Sequence, residues 1–258
     1  MKNPFDYFEK IFCVNLDLRP DRWETAQEEF DKVGVLDKVE RFSAITPSQI
    51  ESIHTHGGGV ISTGSNGCHL SHVSCIKYAK DNNLNNVLMF EDDVKFINWN
   101  PDILTNATKS LNDMDWNMFY FGGCYAKLHK SDMVAKNLMN VFRPLCTQSY
   151  AVSKKGFDAI LENGVIGYDF DNVELNIINE GKYRKYYNRN HPLVIVDAMY
   201  AQIIDKQYAS YPILTTQGSS YSDIRELDAD TEFNENYMTT SVPRFERGKY
   251  RECVPDFF

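Results

Sequence analysis

Three carboxylates in succession, Glu91, Asp92 and Asp93, follow directly on the apolar run Val87-Leu88-Met89-Phe90. Like charges at the end of a buried strand repel one another and are costly to desolvate, so solvent or a cation must neutralise them. Side chains of an extended chain alternate between faces. That alternation would let Glu91 and Asp93 reach one divalent ion, while Asp92 points to the other side and hydrogen-bonds locally. The segment therefore reads either as metal-dependent chemistry at the C-terminal edge of a sheet or as a solvated acidic turn.

Other residue types offer chemistry less specifically. Cys68, His72 and Cys75 fall on one helix face, which makes a zinc site geometrically conceivable, but the C-x3-H-x2-C pattern lacks an obvious fourth ligand. Cysteines on an apolar helix face are more often core packing. His54 and His56 stand beside Gly57-Gly58-Gly59 and suit either substrate contact or plain solvation. No strand closely precedes those glycines and no Gly-Lys-Ser/Thr follows, so they suit a hinge better than a phosphate cradle. Arg19 and Arg22 could contact phosphates or make surface ion pairs. Asp197 follows the apolar run Leu193–Val196 and suits a helix N-cap.

The elements that position these residues alternate between strand and helix. Ile11–Asn15 reads as a buried strand, and a helix follows with Asp21 as its cap, Trp23, Ala26, Phe30 and Val33 on one face, and Gly34 at its end. Val39–Phe42 is a second strand, Ser43–Ser65 a long loop, and a helix runs from Gly67 into the carboxylate-tipped strand. Trp116–Gly122 and Gln148–Ser153 read as strands, with a helix from Lys154 to about Glu162. Residues 165–190 are weakly periodic and read as an insertion. Leu193–Val196 is expected as a buried strand, Asp197–Lys206 as a helix and Tyr208–Thr216 as a last strand. This is the pattern of an α/β domain.

Length and charge restrict the classes. The 258 residues, 43% of them hydrophobic, can bury a sizeable core. With 27 basic against 36 acidic residues the formal charge is -9, and no basic block offsets it, which argues against nucleic acid as a partner. No apolar stretch reaches membrane-spanning length and no signal-peptide core precedes the first strand, so a soluble, cytoplasmic protein is expected. The six scattered cysteines are expected to be reduced.

Four segments, in order, resemble glycosyltransferase family 25, whose members include lipooligosaccharide and procollagen galactosyltransferases. They are Val14–Trp23, an opening strand with an arginine-bearing loop; Gly67-Cys68-His69-Leu70-Ser71-His72, a helix start; Phe90–Val94, an acidic metal motif; and, more loosely, Thr147–Ser153, Val196-Asp197 and Pro212–Gln217 with Ser222-Asp223-Ile224. Ser43–Thr46 matches only loosely, and 165–190 looks longer than the usual connection. The resemblance implies a GT-A-type fold: a single Rossmann-like α/β domain over residues 1–217, with a central mixed, mostly parallel sheet flanked by helices. Residues 218–258 would be a tail that wraps the domain or is partly disordered. It further implies Mn²⁺ or Mg²⁺ held by Glu91 and Asp93, and a donor site formed by Asn15, Leu16, Arg19, Arg22, Ser71, His72 and Asp92. An inverting transfer needs a carboxylate to take the acceptor proton; Asp197 stands at the position resembling the family's later acid, with Asp169 and Asp171 in reserve. The implied activity moves galactose or glucose from a UDP-sugar to a hydroxyl of a glycan or protein acceptor, collagen-type hydroxylysine among the candidates. Two rivals are a nucleotidyltransferase, which would need a glycine/lysine-rich pyrophosphate loop not seen here, and a catalytically silent carbohydrate- or nucleotide-binding protein that keeps the fold.

Overall fold

The computed structural model describes residues 3–46, 63–123, 125, 132–142, 144–163, 196–218, 221–222 and 227–228. In chain order the elements are β1 (Ile11–Asn15), α1 (Pro20–Lys32), β2 (Val39–Ser43), α2 (Thr63–Asp81), β3 (Asn86–Glu91), β4 (Val94–Phe96), α3 (Pro101–Asn112) and β5 (Met118–Tyr120). They continue with β6 (Met133–Ala135), β7 (Leu138–Asn140), β8 (Ser149–Ser153), α4 (Lys154–Asn163), α5 (Val196–Ile203), β9 (Gln207–Ser210) and β10 (Thr215–Gln217).

Eight strands form one sheet in the order β2-β1-β3-β8-β5-β9-β7-β6. β2, β1 and β3 are mutually parallel, as are β5 and β9. β8 runs antiparallel between β3 and β5, and β7 antiparallel between β9 and β6. Six of the eight strands thus point one way, which is the mixed, mostly parallel α/β sheet that a GT-A-type fold implies.

Both faces of the sheet are covered, which explains the unbroken apolar character of β1 and β3. Phe12, Val14, Val87, Met89, Tyr150 and Val152 face α2, α4 and α5, packing on Val73, Ile76, Phe157, Ile160, Met199 and Tyr200. Ile11, Cys13, Leu88, Phe90 and Phe119 alternate to the other face, against Ala26 and Phe30 of α1 and Leu104, Ala107 and Leu111 of α3. Each fully buried phenylalanine here contributes about 1.5–3 kcal/mol. Among the described residues no helix is long and apolar enough to cross a membrane.

Four sequence expectations differ from what is found. Asp21 does not cap α1: Arg19 occupies the cap position with no side-chain cap bond and Pro20 opens the helix, its fixed φ and missing N–H suiting that place. Asp21 sits in the first turn, where a negative charge suits the helix dipole. α2 begins at Thr63, inside the stretch read as loop. Val196 opens α5 instead of ending a strand; an apolar run of four does not distinguish the two, and Val196 packs in the core either way. The last strand is two, β9 and β10, separated at Tyr211–Leu214, where Pro212 has no N–H to continue a ladder. His54, His56, Gly57–Gly59, Asp169, Asp171 and the 165–190 insertion lie outside the described residues. So does most of the 218–258 tail; Tyr221–Ser222 pairs there with Leu227–Asp228.

Candidate active site

Parallel pairing of β1, β2 and β3 brings Asn15, Arg41 and Glu91 to one edge of the sheet. Asn15, buried at 1% exposure, donates from Nδ2 to Asp92 Oδ2 at 2.6 Å and to the Arg19 carbonyl at 3.0 Å, while its Oδ1 accepts from Arg41 Nε at 2.7 Å. Arg22, in the first turn of α1, places Nη2 2.6 Å from Asp92 Oδ1 and 2.9 Å from Asp93 Oδ2. Gln217 of β10 donates to Asp93 Oδ2 at 2.9 Å, and the Gly218 N–H donates to the Asp93 carbonyl at 2.6 Å. β10 pairs with β4, so the acidic turn between β3 and β4 is clamped from both sides.

Glu91 belongs to a different set of contacts. Thr147 Oγ1 donates to its Oε1 at 2.6 Å, and His72 Nε2 stands 3.2 Å from the same oxygen. His72 is fully buried on α2, stacks on Tyr150 at 12° between ring planes, and bonds through Nδ1 to the Tyr150 hydroxyl at 2.8 Å. The expected alternation, with Glu91 and Asp93 on one side and Asp92 on the other, is therefore not the arrangement found. Asp92 and Asp93 share Arg22, and Asp92 bonds Asn15, 77 residues away, instead of bonding locally. The reason is that β3 ends at Glu91, and the period of two holds only inside a strand.

The three carboxylates differ electrostatically. Burial pushes Asp93 up to about 7, aided by the Glu91 charge and opposed by Arg22. Burial also raises Asp92, against Arg22 and the Asn15 hydrogen bond. For Glu91 burial acts upward too, but His72, Thr147 and Arg22 together hold it below the usual carboxylate range. Negative charge thus exceeds what Arg22 supplies, and Asp93 Oδ1 is buried without a hydrogen-bond partner. An all-oxygen donor set with one buried oxygen unsatisfied fits a hard divalent cation such as Mn²⁺ or Mg²⁺.

The remaining expected residues group around this edge with different roles. Leu16 forms the turn after β1, its carbonyl accepting the Arg19 N–H at 2.9 Å. Arg19 reaches back to Asp21 at 2.8 Å. Ser71 Oγ donates to the Gly67 carbonyl at 2.6 Å and accepts the Ile45 N–H at 2.9 Å, tying the segment after β2 to α2. Asp197, half-buried in the first turn of α5, accepts the Cys146 N–H on Oδ2 at 3.0 Å. Burial raises the Cys68 thiol, and the charges of Glu91, Asp197, Asp93 and Asp92 raise it further. Arg41, Thr147, Tyr150 and Gln217 were not singled out from sequence. Arg41 stands in the middle of β2, between Glu40 and Phe42, and carries no local signal.

The curated relatives that this chain resembles are longer. A glycosyltransferase 25 family member of Drosophila melanogaster is 27% identical over 168 residues, which is 57% of this chain and 27% of that protein. Procollagen galactosyltransferase 2 of Homo sapiens is 23% identical over 274 residues, 96% of this chain and 44% of the relative. The chain thus spans less than half the length of either. Among solved structures, A197 from STIV is similar with a TM-score of 0.40 at 8% identity, over 82% of this chain and 86% of that one. A glycosyltransferase involved in the glycosylation of the major capsid of PBCV-1 is similar with a TM-score of 0.36 at 11% identity, over 79% and 81%. The family model described as "Glycosyltransferase family 25 (LPS biosynthesis protein)" matches residues 8–168, more than half of the chain and every element from β1 to α4. With its carboxylate turn, Arg22 and His72 all inside that match, the chain belongs to glycosyltransferase family 25.

Proposed function

We propose that this chain is a metal-dependent inverting glycosyltransferase that moves a hexose, galactose or glucose, from a UDP-sugar to a hydroxyl of a glycan or protein acceptor. The observation that carries the reading is the buried, unsatisfied Oδ1 of Asp93 in a turn with more carboxylate than guanidinium charge. Asp93 is the ligand for Mn²⁺ or Mg²⁺, while Glu91, expected as the second, is turned to His72 and Thr147; the ion, when bound, supplies charge stabilisation to the departing diphosphate. Arg22 and Arg19, beside the turn, would meet phosphate oxygens of the donor. Asn15 bonds both Asp92 and Arg41, so the donor side is held by hydrogen bonds that join β1, β2 and the acidic turn. Asp197 takes the acceptor proton; the Cys146 N–H on Oδ2 orients its carboxylate. The names of the relatives favour galactose, and both a glycan and a protein acceptor accord with them.

A donor screen tests this. With Mn²⁺, UDP-galactose or UDP-glucose should release UDP, and chelator should abolish the release. If no nucleotide sugar released UDP with metal while UDP still bound, the chain would be a silent binding protein on the same fold.

A further inference from the structure

The two ring nitrogens of His72 meet different partners. Nδ1 pairs with the Tyr150 hydroxyl at 2.8 Å, which leaves Nε2 to face Glu91. Yet Nε2 is fully buried without a hydrogen-bond partner and stands 3.2 Å from a Glu91 oxygen. A ring nitrogen and a carboxylate oxygen held this close need a proton or a metal cation between them.

The third atom that converges there is a thiol. Cys68 lies one turn before His72 on α2, and its Sγ, His72 Nε2 and a Glu91 oxygen all lie within 4.8 Å of one another. Spacing of i and i+4 puts Cys68 and His72 on one helix face. The sequence suggested Cys75 as a companion to these two, but Cys75 is buried in the core between α2 and its neighbours, and the third donor comes from the end of β3 instead.

We propose that Cys68, His72 and Glu91 form a binding site for a thiophilic divalent cation of the zinc class, separate from the hard-cation position at Asp93. Sulfur, imidazole nitrogen and one carboxylate oxygen make the mixed donor set that Zn²⁺ selects over Mn²⁺ or Mg²⁺. The outer partners are those a metal-ligating set requires. Tyr150 holds His72 Nδ1, which orients the ring with Nε2 facing inward, and Thr147 anchors Glu91. Binding forms a metal–sulfur bond, and the Cys68 thiol proton leaves to solvent.

Cobalt(II) added to the full chain, followed by displacement with Zn²⁺, tests the site. One equivalent of cobalt should give a near-ultraviolet thiolate-to-metal charge-transfer band that Zn²⁺ abolishes and excess Mg²⁺ leaves. Cys68→Ser should lose the band, whereas Cys75→Ser and Asp93→Asn should keep it. Tyr150→Phe should weaken cobalt binding about 10–100-fold. Absence of the band in the wild type, or its survival in Cys68→Ser, would overturn the proposal, leaving His72 and Glu91 as a protonated ion pair. Loss of the band in Asp93→Asn would overturn the separation of the two positions. Cys68→Ser is close to isosteric, so the outcome does not depend on whether Tyr150→Phe folds.

Discussion

At the scale of single residues, Asp93 and Asp197 are where the functional reading is most exposed. Asp93→Asn keeps shape but removes the charge that holds a cation, so transfer and Mn²⁺ affinity should both fall by about 100-fold or more, with Asp92→Asn milder. Wild-type turnover in Asp93→Asn would remove Asp93 from the cation site. The same residue has a pH signature. Its folded value, about 7, lies above the 3.8 of an ordinary aspartate, so the folded state binds the proton more tightly than the unfolded chain. Its contribution to stability is therefore fully present below about pH 4 and is lost as pH rises towards 7, by at most about 1.4 kcal/mol per unit. In chelator, denaturation midpoints of wild type and Asp93→Asn compared at pH 5 and pH 8 should show the variant gaining relative stability at the higher pH. An unchanged difference would mean that Asp93 titrates normally. For Asp197, a general base contributes roughly 10²–10⁴-fold to rate. Asp197→Asn should then keep its melting temperature and UDP affinity but lose transfer by that factor, and near-normal turnover would reduce Asp197 to an anchor for the Cys146 N–H.

At the scale of elements, the sequence was legible where a period was unbroken. β1, β3 and β8 and the buried faces of α1 and α2 follow from runs and spacings. What it could not convey was where a period stops. The alternation argument carried Glu91 and Asp93 to one side because nothing in the letters Glu-Asp-Asp-Val marks Glu91 as the last strand residue. It is the pairing of β4 with β10 that makes Asp92 and Asp93 a turn. The Glu91–His72–Thr147 contact was equally hidden, because β8 must insert antiparallel beside β3 before Thr147 can reach Glu91. The close approach that holds β10 in place falls at Gly122, where an added Cβ would come 2.0 Å from the Thr215 carbonyl oxygen. Gly122→Ala should therefore cost about 1–3 kcal/mol or more in urea unfolding, and it should weaken nucleotide binding because Gln217, the last residue of β10, and Gly218 just after it hold Asp93. A midpoint equal to wild type would show that β10 is not seated as described.

At the scale of the whole molecule, the parallel strands β1, β2 and β3 converge their C-terminal ends on one edge, while an α/β/α sandwich buries both faces and keeps that edge rigid. The fold class was readable from alternating elements, and the family from ordered motifs, because both are properties of long stretches rather than of single contacts. The central claim is that this edge binds a nucleoside diphosphate through a divalent cation. Diphosphate and carboxylates repel one another unless a cation lies between them, and a ligand that binds only the folded state raises its melting temperature. Thermal unfolding with UDP, in Mn²⁺ and in chelator, measures this directly. A rise in melting temperature with UDP in Mn²⁺ and none in chelator is the predicted result; equal stabilisation by UDP in both would contradict the account.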